Sequence, residues 1–108
     1  MQKNLKTAKF GGSSLASAEQ FKKVIDIILS DPSIKYVVPS APGKRYNGDF
    51  KVTDKLYECY ELASTGHNID AVYHQFEERY RDIVEGLGMD YSLDDEFAKI
   101  KMSVIHNA

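Results

Sequence analysis

The stretch Thr7-Ala8-Lys9-Phe10-Gly11-Gly12-Ser13-Ser14-Leu15-Ala16 decides how this chain is read. Leu5 to Phe10 predicts a short strand, with Lys9 at its end. Two glycines, two serines and a helix start follow. That order suits a polyphosphate. Gly11 and Gly12 are free to take positive φ and let a phosphate approach the backbone. Consecutive N–H groups in such a turn form an anion-binding nest, and a helix N-terminus adds donors and a favourable dipole. Lys9 supplies a full positive charge, and serine hydroxyls donate to phosphate oxygens. The segment is not a Walker A loop, because no Gly-Lys-Ser/Thr closes it. It also lacks the Gly-x-Gly-x-x-Gly spacing of a dinucleotide fingerprint. Glycine pairs after strands also serve as plain turns, so on these residues alone both readings stand.

Working outward, Ser17-x-x-Gln20 is a capping-box pattern. It predicts a helix from Ala18 to Leu29 with Phe21, Val24, Ile25 and Ile28 on one face. Asp31-Pro32-Ser33 ends it, and Ile34 to Val38 predicts a second strand, apolar enough for a central position. Strand, helix and strand in this order imply a right-handed parallel βαβ unit. Ligands bind beyond the carboxyl ends of strands in such sheets, where Lys9 and Ser40 both fall.

Residues 41–51 form a loop rich in proline, glycine and basic residues. Thr53 is a plausible N-cap for a helix through Ala63, and Gly66-His67 marks a break. A longer helix is predicted from Ile69 to Leu87, with Val72, Phe76, Tyr80, Ile83 and Leu87 inward. Gly86 and Gly88 end it. A last helix begins near Asp94 and presents Phe97, Ile100, Val104 and Ile105 as an apolar face expected to be uncovered.

Composition narrows the class. At 108 residues the chain is at most one small domain, with 43% hydrophobic and 28% charged residues. Apolar runs are too short for a transmembrane helix, and no signal peptide is visible. The one cysteine, Cys59, has no internal partner, which suits a reducing cytoplasm. Residues 1–55 carry ten Lys/Arg against five Asp/Glu, and residues 56–108 four against eleven. The basic half contains the glycine turn, which favours an anionic ligand there. A pI near 5.9 and the lack of a basic stripe interleaved with aromatics argue against nucleic acid.

The string Lys9-Phe10-Gly11-Gly12-Ser13-Ser14-Leu15-Ala16 resembles the opening signature of aspartate kinases, written KFGG[TS]S-[VL]-A. Val37-Val38-Pro39-Ser40-Ala41-Pro42-Gly43 resembles that family's second strand and its Ser-Ala-x-x-Gly turn. Lys51-Val52-Thr53-Asp54-Lys55-Leu56 resembles its Thr-Asn/Asp-x-Leu element. The three occur in family order between Lys9 and Leu56, and the resemblance is read as covering essentially the whole chain.

The resemblance implies an α/β fold: the parallel βαβ start of an amino-acid-kinase domain, followed by helices, as an incomplete three-layer α/β/α domain. Residues 1–108 would be the N-terminal portion of that catalytic domain, without the regulatory ACT region. The implied reaction transfers the γ-phosphoryl of ATP to the side-chain carboxylate of L-aspartate. The product, 4-phospho-L-aspartate, feeds lysine, threonine and methionine synthesis. ATP would bring Mg2+ with it, and no protein metal site is expected. Lys9 matches the family's phosphate-contacting lysine and is the candidate catalytic residue. Gly11, Gly12 and Ser13 match the backbone cradle. Thr53 matches a threonine that helps hold aspartate, and Ser40 lies where it could meet substrate or phosphate. The expected partners are L-aspartate, ATP, and either a second copy or the rest of the same enzyme. By itself the chain is expected to be inactive.

The remaining candidates have plainer readings. The stretch Pro42 to Lys51 is longer than the family pattern, and Lys44 and Arg45 read first as solvated loop charges, with the alternative that they steer phosphate or carboxylate. Glu77, Glu78, Asp82 and Glu85 form a solvated acidic face, paired locally by Arg79 and Arg81. His67, His74 and His106 lack metal-ligand spacing. Cys59 and the helix tyrosines, Tyr57, Tyr60, Tyr73 and Tyr80, read as packed. Two rival functions remain at this point: a non-catalytic nucleotide- or anion-binding module, and a small helical interaction domain.

Overall fold

The computed structural model describes residues 5–108. Strand β1 (Lys6–Phe10) runs into a 3-10 turn (Gly12–Leu15) and helix α1 (Ala18–Ser30). Strand β2 (Ile34–Pro39), a loop, and helices α2 (Val52–Ser64), α3 (Asp70–Gly86) and α4 (Asp94–Asn107) follow. The expected βαβ start is present: β1 and β2 pair in parallel, with Lys9 opposite Val38 and Phe10 opposite Pro39.

Local chemistry sets the helix ends. Ser17 Oγ accepts a hydrogen bond from Gln20 N at 3.3 Å, the cap that the Ser-x-x-Gln pattern predicts. The cap of helix α2 lies two residues before the expected position. Its N-cap is Lys51, whose N–H donates to the Asp54 carboxylate at 3.3 Å, so Thr53 is not the cap. Both α2 and α3 stop at a glycine of positive φ, Gly66 and Gly88. Gly66 N donates to Ala63 O and His67 N to Leu62 O; Gly88 N donates to Glu85 O and Met89 N to Val84 O. These paired bonds are the Schellman closure, which satisfies the last carbonyls and favours glycine at the left-handed residue.

The main core joins α2, α3 and α4 around Val52, Cys59, Ile69, Tyr73, Phe76 and Phe97. Phe76 stacks on Tyr73 and meets Tyr80 and Phe97 edge-on at centroid distances of 5.3–6.2 Å. The Tyr73 hydroxyl donates to the Phe97 carbonyl, and burial pushes its pKa up to about 12. Contrary to expectation, the face of α4 is largely covered: Phe97 is buried and Ile100 and Val104 pack on the cluster, leaving Ile105 outside. Cys59 is fully buried, and burial raises its thiol pKa, so it is a packing residue.

The βαβ half is barer. Helix α1 buries Val24, half-buries Phe21 and Ile28, and leaves Ile25 exposed although it lies on the predicted inner face. Helix α3 covers α1 closely where Gly86 meets Ala18; a Cβ on Gly86 would stand 2.5 Å from the Ala18 Cβ. Strand β2 was expected in a central position. Among the described residues it has β1 as its one neighbour, and Tyr36, Val37 and Val38 are exposed. The described chain measures 60 × 29 × 26 Å, with a radius of gyration of 16.6 Å. A compact domain of about 100 residues has roughly 13 Å. The βαβ unit and the helical core are thus two packed regions, and α3 contacts a helix of each, α1 and α2.

Candidate active site

The glycine turn meets the loop after β2 at one point. Gly43 N donates to Gly12 O at 2.8 Å. The backbones touch: a Cβ on Gly43 would lie 2.8 Å from Gly12 C, and one on Gly12 would lie 3.0 Å from Ala41 O. Neither backbone could stay in place with a larger residue. Positive φ is not the reason for glycine in the first turn. Gly11 is extended with φ −76°, and the glycines of positive φ are Gly48, Gly66 and Gly88. Gly11 has open space around its Cα instead.

This junction floors a cleft of about 480 Å³. Gly12 and Ser13 form one side and Ser40-Ala41-Pro42 another. Thr53, at the second residue of α2, and Lys51 line it from the third segment, and Lys44 joins them from the loop. Ser13, Ser40, Lys44, Lys51 and Thr53 are all exposed. Two lysines and no carboxylate line the cleft, so its charge suits an anion. The opening N–H groups of a helical turn lack intrahelical partners, and here they belong to the segment that begins at Gly12.

The structure therefore brings together Gly12, Ser13, Ser40 and Thr53 among the expected residues. Gly11 and Lys9 do not line the cleft. Lys9 is an exposed residue of β1, next to last in the strand. The turn is followed by a short 3-10 segment, and the α-helix proper begins at Ala18. The expected helix N-terminus thus stands six residues beyond Gly12.

Two readings are corrected. Arg45 is exposed but is not a free loop charge: its N–H and Nε donate to Asp49 Oδ2 at 2.9 and 2.7 Å, and Nη2 to Oδ1 at 3.0 Å. That fork holds the buried Asp49 carboxyl well below the usual carboxylate range. Arg79 is not on the solvated acidic face. It is 2% exposed and donates to the carbonyls of Ala16, Gly43 and Phe50, with Asp49 3.7 Å away. Its guanidinium also stands over the Phe50 ring at 5.3 Å. Burial, and then the neighbouring Arg45 charge, lower its pKa, but a guanidinium remains charged. Arg81 does pair locally, with Glu77 at 2.9 Å.

The residues missed from sequence are Arg79, Asp49, Lys51 and Gly43. Arg79 had a signal: it lies three after Phe76 and four before Ile83, on the buried stripe of α3. Gly43 stood within the Ser-Ala-x-x-Gly turn but without an assigned contact. Among the described residues no cluster of three or more His, Cys, Asp or Glu could hold a metal ion. No helix among them is long and apolar enough to cross a membrane.

No protein-family model matches the chain. Aspartokinase 3 of Bacillus subtilis is 45% identical over 89 residues, 82% of this chain and 20% of that protein. Aspartokinase 1, chloroplastic, of Arabidopsis thaliana is 46% identical over 52 residues, 47% of this chain and 9% of that protein. The crystal structure of Clostridium acetobutylicum aspartate kinase superposes with a TM-score of 0.90 at 45% identity, covering 94% of this chain and 24% of that one. The chain thus spans a quarter or less of the relatives it matches. With 45% identity carried on one shared arrangement of strands, turn and helices, it belongs to the aspartokinases as a segment of their length.

Proposed function

We propose that this chain supplies one side of the active site of an aspartate kinase, the N-terminal part of its catalytic domain. The whole protein transfers the γ-phosphoryl of ATP to the β-carboxylate of L-aspartate. A carboxylate oxygen forms the new bond to phosphorus, the β–γ bridging bond breaks, and ADP leaves with the electron pair. The acceptor is already anionic at neutral pH, so no general base is required. The work left to the protein is to align two anions and offset charge on the transferring group.

The observation that carries this reading is the cleft at the Gly12–Gly43 junction. It joins the three motif segments and adds two lysines without a carboxylate. Such a lining fits a polyphosphate better than a bare cation. It accords with Mg2+ arriving on the nucleotide, where the ion would offset phosphate charge. In this reading Gly12 and Ser13 cradle phosphate, and Gly11 leaves the approach open. Lys9 reaches the phosphates from its strand end as the catalytic cation. Thr53 and Ser40 receive the aspartate. The acyl phosphate enters lysine, threonine and methionine synthesis in the cytoplasm, and the working protein is an oligomer.

The test is the full-length protein with ATP, L-aspartate and hydroxylamine, which traps an acyl phosphate as hydroxamate. Aspartate-dependent hydroxamate is expected. ATP binding without hydroxamate would instead favour a non-catalytic nucleotide module. The isolated 108-residue chain should form none, because one side of a cleft cannot hold both reactants in line.

A further inference from the structure

Three separate segments shape the cleft: the glycine turn, the loop after β2, and the entry to α2. Each has a carbonyl close behind the lining residues, at Ala16, Gly43 and Phe50. Arg79 Nη1 donates to Phe50 O at 2.8 Å, and Nη2 donates to Ala16 O at 3.1 Å and to Gly43 O. The three acceptors lie 29 to 63 residues away in the chain. The guanidinium is fixed in turn by Asp49, itself forked by Arg45, and by the Phe50 ring.

We infer that Arg79 is a positioning residue for the nucleotide cleft, tying the three lining segments together from behind. The inference rests on the phosphate reading of the cleft given above. Two features support it. A planar fork of donors can bridge several carbonyls at once, which a lysine ammonium on a flexible stem cannot reproduce. In a trans peptide the N–H points opposite to the C=O. Anchoring Gly43 O and Phe50 O therefore turns the N–H groups of Lys44 and Lys51, both cleft residues, away from the guanidinium. Lys51 N–H is taken up by the Asp54 carboxylate at the entry to α2, so the Lys44 N–H is the one this orientation bears on.

The experiment uses the full-length enzyme and measures ATP affinity, steady-state kinetics and thermal melting. Its variants are Arg79→Lys and the double variant Lys44→Ala/Lys51→Ala, which strips the cleft of charge and leaves its backbone alone. Arg79→Lys should melt cooperatively yet bind ATP about tenfold or more weakly, because losing even one backbone hydrogen bond to a charged phosphate is worth about that much. A purely structural residue would lower Tm and leave the affinity of the folded protein unchanged. That result overturns the inference, and so does a variant with no cooperative transition, because Arg79 would then support the fold at large. Unchanged ATP binding in the double variant overturns the cleft reading, and Arg79's role with it. Weakened binding there beside unchanged binding in Arg79→Lys overturns the Arg79 inference alone.

Discussion

Gly12 O accepts a hydrogen bond from Gly43 N at 2.8 Å, and at that point the two backbones leave no room for a Cβ. The cleft floor is thus a contact between two glycines from separate segments. Gly43→Ala should destabilise the protein by about 1–3 kcal/mol, the usual cost of overpacking. Gly11→Ala tests the opposite case. Its φ of −76° suits alanine and nothing lies within 4 Å. That variant should keep or gain stability, by about 0.4–1 kcal/mol, while losing ATP affinity if the open approach serves phosphate. Paired melting curves and ATP titrations check both.

Thr53 separates substrate binding from helix capping, because Lys51 occupies the N-cap. A lost cap would cost about 1 kcal/mol. Thr53→Val should therefore leave stability within about 0.5 kcal/mol, as for an ordinary surface position. In the full-length enzyme it should raise the KM for aspartate with little change for ATP. Unchanged aspartate kinetics would take Thr53 out of the substrate site.

Lys9 is exposed on β1, so Lys9→Ala should leave melting unaffected. If Lys9 offsets charge on the transferring phosphoryl group, the rate in the full-length enzyme should fall by about 10²-fold or more. A rate within about threefold of the parent, far short of such an effect, would remove it from the chemistry.

Acid should loosen the junction between α1 and the strands. Asp31 accepts from the Ser33 hydroxyl, from Lys6 Nζ at 2.9 Å and from Ser33 N at 3.0 Å. The Ser33 hydroxyl bond, with Lys6 next, lowers its pKa from 3.8 to about 2. A depressed carboxylate stabilises the fold above its unfolded pKa, and that contribution is lost as pH falls through the folded value. Asp31→Asn should erase the component of acid destabilisation between about pH 4 and pH 2. A direct carboxyl titration by NMR that places Asp31 near 3.8 would contradict this account.

What was legible in the sequence was what acts locally. Ser17 caps α1, Gly66 and Gly88 close helices, and Lys9 to Ala16 marks the turn, each within a few residues of its partner. The α3 stripe at Phe76 and Ile83 was also readable, because it depends on period alone. Arg79 was hidden on that stripe. Its charge suggested solvent, while its carbonyl acceptors lie in segments that no local pattern connects to it. Gly43 and Gly12 carried the same difficulty: a close approach across 31 residues of chain leaves no periodic trace. Thr53 looked like a cap because its residue type favours one, but Asp54 draws the helix start back to Lys51.

Arg79 has a consequence for how the chain reaches its shape. Its bond to Ala16 closes 63 residues of chain and its bond to Gly43 closes 36. Contacts that span so much chain bear their loop-closure entropy before they return any stability, and folding slows as their share grows. The glycine turn is contiguous in sequence, yet two of the ties that fix it arrive only when α3 docks. On that ground the helices, closed by their own caps and glycines, are expected to form before the cradle is fixed. A nascent or partly unfolded molecule would therefore carry helix without a nucleotide site. Ligand binding would report completion of the fold rather than its onset.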